Sequence, residues 1–133
     1  GILESACNIN ISGAFNTHSG GAQMGESSQI IFTLSPFASF TVKGFDSNYG
    51  QLSVNVDGVE LEMEGNGFYS FVNSLGYTVT VNICAKNIGT EEAPDWSHSY
   101  ITYLDVNIPK AFNENTAISF GSEGNYKDSG YIH

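Results

Sequence analysis

Leu52-Ser53-Val54-Asn55-Val56-Asp57-Gly58-Val59-Glu60-Leu61-Glu62-Met63-Glu64 is the stretch whose reading decides the fold class. Before Asp57-Gly58, Leu52, Val54 and Val56 alternate with Ser53 and Asn55. After it, Val59, Leu61 and Met63 alternate with Glu60, Glu62 and Glu64. A period of two puts each apolar set on one face of a strand. Asp-Gly between two such runs reads as a two-residue hairpin loop, because a type I′ turn needs positive φ at both central residues and this pair tolerates it. The Val54–Leu61 hairpin is expected at the heart of the fold. Leu52, Val54, Val56, Leu61, Val79, Val81 and Ile83 are expected to be buried.

The same period runs outward in both directions. Cys7 to Ile11, Gln29 to Leu34, Ala38 to Lys43, Phe68 to Val72, Tyr77 to Ile83, Tyr100 to Ile108 and Ala117 to Phe120 all read as short strands separated by Gly, Asn or Pro. No window carries apolar residues at a 3.6 period over three turns, so no substantial helix is expected. The reading is all-β: a single antiparallel β-sandwich domain over residues 1–133, Ig-like or jelly-roll, with about eight or nine strands.

Composition narrows the function. The chain has 133 residues, 14 acids and 4 bases, and a net charge of −10; all four bases are Lys, and Arg is absent. Nucleic acids and anionic lipids are met by basic patches, which this chain cannot build. No apolar run approaches the ~20 residues that span a bilayer, so membrane insertion is not expected. Charged residues make up 14% of the chain, so Asn, Ser, Thr and Gly must supply the polar surface. Such a surface is common on extracellular β-proteins and filaments, so an extracellular or cell-surface location is expected. Two cysteines in such a chain suggest one disulfide, Cys7–Cys84, closing a loop whose restriction in the unfolded state contributes ~4 kcal/mol. Cys7 shares a strand face with Ile9 and Ile11, whereas Cys84 shares one with Thr78, Thr80 and Asn82, so the bridge needs a bulge or a strand end at one partner.

Catalytic signatures are missing. His18, His98 and His133 stand apart from any nucleophile motif, and the row Glu60, Glu62, Glu64 reads as a solvated strand face. The chain is therefore not expected to be an enzyme. Transition-metal spacings are also absent. Calcium suits the oxygen-rich loop around Asp46 and Asn48, with Asp57 twelfth from Asp46. An EF-hand is excluded by Gln51 at the sixth position and by the lack of flanking helices. Glu123, Asn125 and Asp128 form a second oxygen-rich loop.

Carbohydrate recognition fits the residue types best. Rings stack on the apolar C–H faces of sugars, and Asp, Asn and Glu bond their hydroxyls. The chain has seven Tyr, one Trp and 13 Asn. Asp95-Trp96-Ser97-His98-Ser99-Tyr100 places the lone Trp in a polar, Pro-containing loop. Asp95, Trp96, His98 and Tyr100 are expected to form one aromatic platform, with Tyr49 as a second.

Residues 51–83 resemble hairpins of Ig-like modules in bacterial surface proteins, through Asp57-Gly58, the Val-Glu-Leu strand, Gly65-Asn66-Gly67, Phe68-Tyr69-Ser70-Phe71 and Tyr77-Thr78-Val79-Thr80-Val81. Asp105-Val106-Asn107-Ile108-Pro109-Lys110-Ala111-Phe112 is similar to strands in receptor-binding tips of phage tail fibres. Cys7, with Gly124-Asn125-Tyr126-Lys127-Asp128, is similar to secreted pilins with one disulfide, although those place a further strand after this motif and only Ser129 to His133 follow here. All three resemblances imply surface attachment or assembly. The expected function is a non-catalytic extracellular module that binds a glycan or another cell-surface ligand. The second reading is a structural subunit of a filament, tail or capsid that self-associates through strand edges.

Overall fold

The computed structural model describes residues 9–109, 114–120 and 130–132. It is all-β. The strands are β1 (Ile9–Ser12), β2 (Phe15–His18), β3 (Gly21–Met24), β4 (Gln29–Leu34), β5 (Ser39–Lys43), β6 (Leu52–Val56), β7 (Val59–Glu60), β8 (Phe68–Val72), β9 (Val79–Ala85), β10 (Tyr100–Ile101), β11 (Tyr103–Ile108), β12 (Glu114–Ser119) and β13 (Gly130–Ile132). They form a six-stranded sheet in the order β13-β1-β4-β9-β6-β7, a four-stranded sheet β12-β11-β5-β8 and a three-stranded sheet β10-β3-β2. Every pairing is antiparallel.

The two larger sheets are layers of a sandwich. Their inward residues alternate along each strand: Phe32 and Leu34 on β4, Val54 and Val56 on β6, Val81 and Ile83 on β9 face Phe40, Val42, Leu104 and Val106 of the opposing layer in one continuous core. The Phe32 ring meets Phe40 edge-on across the interior, with centroids 5.5 Å apart. Tyr69 on β8 also crosses between layers. Its buried hydroxyl accepts from the Leu52 N–H (3.1 Å) and donates to the Gly50 carbonyl (3.3 Å), which fixes the start of β6. Desolvation of this phenol, ahead of any other cause, raises its pKa.

Thr102 joins the third sheet to the second. It separates β10 from β11, and its N–H and hydroxyl both donate to the Lys43 carbonyl (2.7 and 3.0 Å). The chain thus leaves the three-stranded sheet and enters the four-stranded one without losing backbone partners.

The expected hairpin forms with the expected turn: Asp57 has φ 49° and Gly58 has φ 85°. Its place in the sheet differs from expectation. β7 is a two-residue edge strand with β6 as its only neighbour, so the hairpin closes a sheet edge and does not sit at its centre. Val59 is 67% exposed and Leu61 half-buried, while the other six residues expected inside are buried. The edge carries Glu60 and is followed by Glu62 and Glu64, charges that discourage pairing with another chain. The described residues form thirteen strands, against the expected eight or nine, because the β2–β3 hairpin lacks apolar alternation, because Thr102 divides one long run, and because Gly130–Ile132, beyond the last expected strand, pairs with β1.

Cys84 carries a free thiol, which donates to the Asn82 Oδ1 at 3.1 Å, and burial raises its pKa. Its row across the sheet is Ser12, Gln29, Cys84 and Ser53. Cys7, the other end of the expected bridge, lies outside the described residues, as do Glu123, Asn125 and Asp128.

Candidate functional site

The aromatic residues of two loops and one hairpin converge on Tyr100. Its ring stacks on Phe45 (centroids 5.0 Å apart, planes 27° apart), lies 5.3 Å from the His18 ring and meets Tyr49 edge-on at 5.7 Å. Tyr49 in turn contacts His98 at 4.7 Å. His18, Ser19, Phe45, Tyr49 and Tyr100 line a shallow cleft of about 410 Å³. Tyr49 is 41% exposed and His18 is exposed, so the cluster opens to solvent.

Each ring is held from behind. Gly44 and Gly50 close the base of the 44–50 loop by backbone contact: a Cβ on Gly44 would stand 2.2 Å from the Gly50 Cα. Lys43 Nζ donates to the Gly44 and Phe45 carbonyls (2.8 and 2.9 Å) and lies 5.1 Å from the centre of the Phe68 ring. Asp46 Oδ1 accepts the N–H groups of Asn48 (2.9 Å) and Tyr49 (2.7 Å). On the facing loop, Asp95 Oδ1 accepts from the Ser97 hydroxyl (2.6 Å) and N–H (2.9 Å). The buried Ser99 hydroxyl donates to the Gln51 carbonyl (2.7 Å) and accepts from the Lys86 N–H (2.8 Å), and the His98 carbonyl accepts from the Gln51 N–H (2.9 Å). Phe45 fits because residue 21 is Gly: a Cβ there would lie 2.8 Å from its ring.

Of the residues expected at the site, Tyr49, His98 and Tyr100 come together. Trp96 and Asp95 do not join them in one platform. They line a neighbouring cleft of about 350 Å³ with Asn16, Gln23, Pro94 and Ser97. Trp96 is half-buried and rests one side on the core, so it serves both packing and surface. His18, Phe45, Asn16 and Gln23 join the two clefts without a sequence signal that points to them. His18 reads in the sequence as an isolated surface residue, and Phe45 follows the end of a strand.

The proposed calcium ligands do not converge. Asp46 and Asn48 precede β6, whereas Asp57 follows it, so the length of the strand, about 17 Å, separates them. Asp57 Oδ1 is bonded to the Thr80 N–H (2.8 Å), and Asp46 is committed to its own loop. Among the described residues, no group of three His, Cys, Asp or Glu side chains is placed to hold a metal ion.

Both pinning carboxylates have pKa values below the ordinary 3.8: Asp46 through the Tyr49 and Asn48 N–H groups, Asp95 through the Ser97 hydroxyl and N–H. A depressed folded pKa contributes stability that is present above 3.8 and is lost as pH falls through the folded value. The tyrosine near-UV circular dichroism of the cluster is therefore expected to show an acid transition below pH 3.8. An Asp46→Asn/Asp95→Asn variant should lack that acid transition; retention of the full transition would assign it to other groups.

No protein-family model, no curated protein and no solved structure matches the chain.

Proposed function

We propose that the chain is a non-catalytic, surface-exposed module that binds carbohydrate through the His18–Tyr49–Tyr100 cleft, with His98 packed against Tyr49. The observation that carries this reading is the solvent-open contact of Tyr100 with His18, Phe45 and Tyr49. Rings held by backbone hydrogen bonds lose little freedom on binding, so their stacking on a sugar face costs little entropy. His18 and Ser19 at the rim supply hydrogen-bonding groups for hydroxyls. The low density of charge over the whole chain supports the same reading, as does the lack of Arg.

Tyr49→Ala removes the exposed ring among Phe45, Tyr49 and Tyr100. On a glycan array followed by calorimetry with the best hit, this variant is expected to lose about tenfold or more in affinity. Its thermal stability should stay within about 0.5 kcal/mol of the parent, since the site is at the surface. A parent protein that binds no glycan would defeat the proposal.

One observation favours the second reading, a structural subunit that assembles through its edges. At the hairpin end of the sandwich, Val59, Leu75 and Tyr77 are exposed around a cleft of about 320 Å³ that is floored by Phe71 and Val79. Such an apolar rim suits burial against another chain. A glycan-negative protein whose mass in light scattering rises with concentration would favour this reading.

A further inference from the structure

The three-stranded sheet has two unlike faces. Ala22, Met24 and Ile101 point into the core, with Phe15 packed against it. The register sets the other face: Gln23 pairs with Asn16 on one side and with Tyr100 on the other, and His18 follows Asn16 by two residues on the same side of β2. Asn16, Gln23 and Tyr100 therefore form one row across the outer face. This row joins the two clefts, since Asn16 and Gln23 line one and Tyr100 lines the other. The first, with His18, Phe45, Tyr49 and Tyr100, opens at the Ser19 end of the hairpin, and the second, with Trp96, opens at the Ala14 and Gly25 end.

We propose that the two clefts are subsites of one track that takes a linear, neutral oligosaccharide along the β2–β3 hairpin. The inference rests on the carbohydrate reading above and adds the shape and charge of the ligand. From Ala14 to His18 the track runs about 13 Å at the rise of a strand, which is room for about two to three consecutive sugar rings. Rings stand at both ends, and the carboxamides of Asn16 and Gln23 lie between them. A carboxamide both donates and accepts, so it suits the hydroxyl edge of a sugar between two stacked neighbours. Gly25 leaves the Trp96 end open, because a Cβ built there meets nothing within 4 Å.

Charge selects against acidic sugars. Neither lining contains Lys or Arg, and Asp95 lines the Trp96 cleft. Lys43, the nearest base to Phe45, has its ammonium committed to two loop carbonyls. A uronic acid chain would bring anions to a protein of net charge −10 with no Lys or Arg in the track to receive them.

Isothermal calorimetry of the full chain against length ladders of β-1,4-linked glucose, N-acetylglucosamine and mannose and of α-1,4-linked glucose tests this. Oligogalacturonate serves as the acidic probe. In the ladder that binds, affinity should rise about tenfold or more from disaccharide to hexasaccharide. Asn16→Ala, an exposed position, should abolish that gain and leave the disaccharide unaffected, whereas Tyr49→Ala should weaken every length. Trp96→Phe keeps the packing side of the ring and should also act only on long chains. Equal affinity at all lengths, with Asn16→Ala silent, would overturn the track and leave single-cleft binding standing. Tighter binding of oligogalacturonate would overturn the charge assignment. No binding to any ladder would overturn the track together with the carbohydrate reading.

Discussion

Asn73→Leu is expected to destabilise the fold by about 3 kcal/mol, a large part of the 5–15 kcal/mol by which domains of this kind are stable. Asn73 is fully buried just after β8. Its Nδ2 donates to the carbonyls of Leu34 (2.9 Å), Ser35 (3.1 Å) and Tyr77 (2.9 Å), and its Oδ1 accepts from the Leu75 N–H (3.0 Å). Its backbone N–H and carbonyl bond Ala38 and Phe37. One amide thus satisfies the β4–β5 turn and the loop that leads to β9. Leu fills nearly the same volume and removes every side-chain bond. The Leu34 carbonyl is then left buried without this donor, while the groups near exposed Leu75 and Tyr77 recover partners in water. Chemical denaturation should show a lower midpoint with an unchanged slope. Asn73→Asp sharpens the test. A carboxylate aimed at three carbonyls has its pKa raised, so this variant should be least stable near neutrality and recover as acid protonates it. By contrast, Glu60→Gln breaks a Lys86 ion pair of 3.6 Å between half-exposed side chains and should cost no more than about 1 kcal/mol. A mild Asn73→Leu, comparable to Glu60→Gln, would mean that water replaces the amide at all four groups.

How far the sequence reaches can be judged from particular residues. β4, β6 and β8 begin and end where alternation and β-branched runs place them, because their apolar faces must meet a core and a shift of one residue would turn those faces to water. The Asp57-Gly58 turn is legible for a local reason, its backbone requirement. The β2–β3 hairpin is not: Phe15-Asn16-Thr17-His18 has one apolar residue, and it pairs with a strand whose outer face is Gly21 and Gln23. The site divides along the same line. Tyr49, His98 and Tyr100 stand out as rings in or beside polar loops. His18 and Phe45 become partners of Tyr100 only because Thr102 docks on the Lys43 carbonyl and carries β10 alongside β3, a long-range event with no local signature. The calcium set failed for a related reason: a spacing of twelve suits a loop, but β6 occupies the interval and keeps its ends apart.

Gly44→Ala is expected to abolish ligand binding, with a loss well beyond the tenfold expected for Tyr49→Ala, and to cost about 1–3 kcal/mol of stability as an overpacked site. The residue has ordinary negative φ, so the penalty comes from space and not from backbone preference. A methyl group at position 44 would meet the Gly50 Cα at 2.2 Å and the Tyr100 carbonyl at 2.7 Å. Both obstacles are backbone, so no side chain can swing aside. The Gly44 N–H is tied to the Gly67 carbonyl (2.8 Å), and the Gly44 carbonyl to Lys43 Nζ (2.8 Å), so the residue itself cannot retreat. The loop must open at its base. Opening breaks the Phe45 N–H to Tyr49 carbonyl bond (3.2 Å) and draws both rings off Tyr100. The tyrosine near-UV circular dichroism should fall along with binding, while the far-UV strand signal persists because the sandwich core lies elsewhere. Gly76→Ala is the matched control: a Cβ there meets nothing within 4 Å, and it should change neither binding nor stability by more than about 0.5 kcal/mol. Full binding by Gly44→Ala would show that the cluster recognises its ligand without the Phe45–Tyr100 stack, and that Tyr49 and His98 suffice.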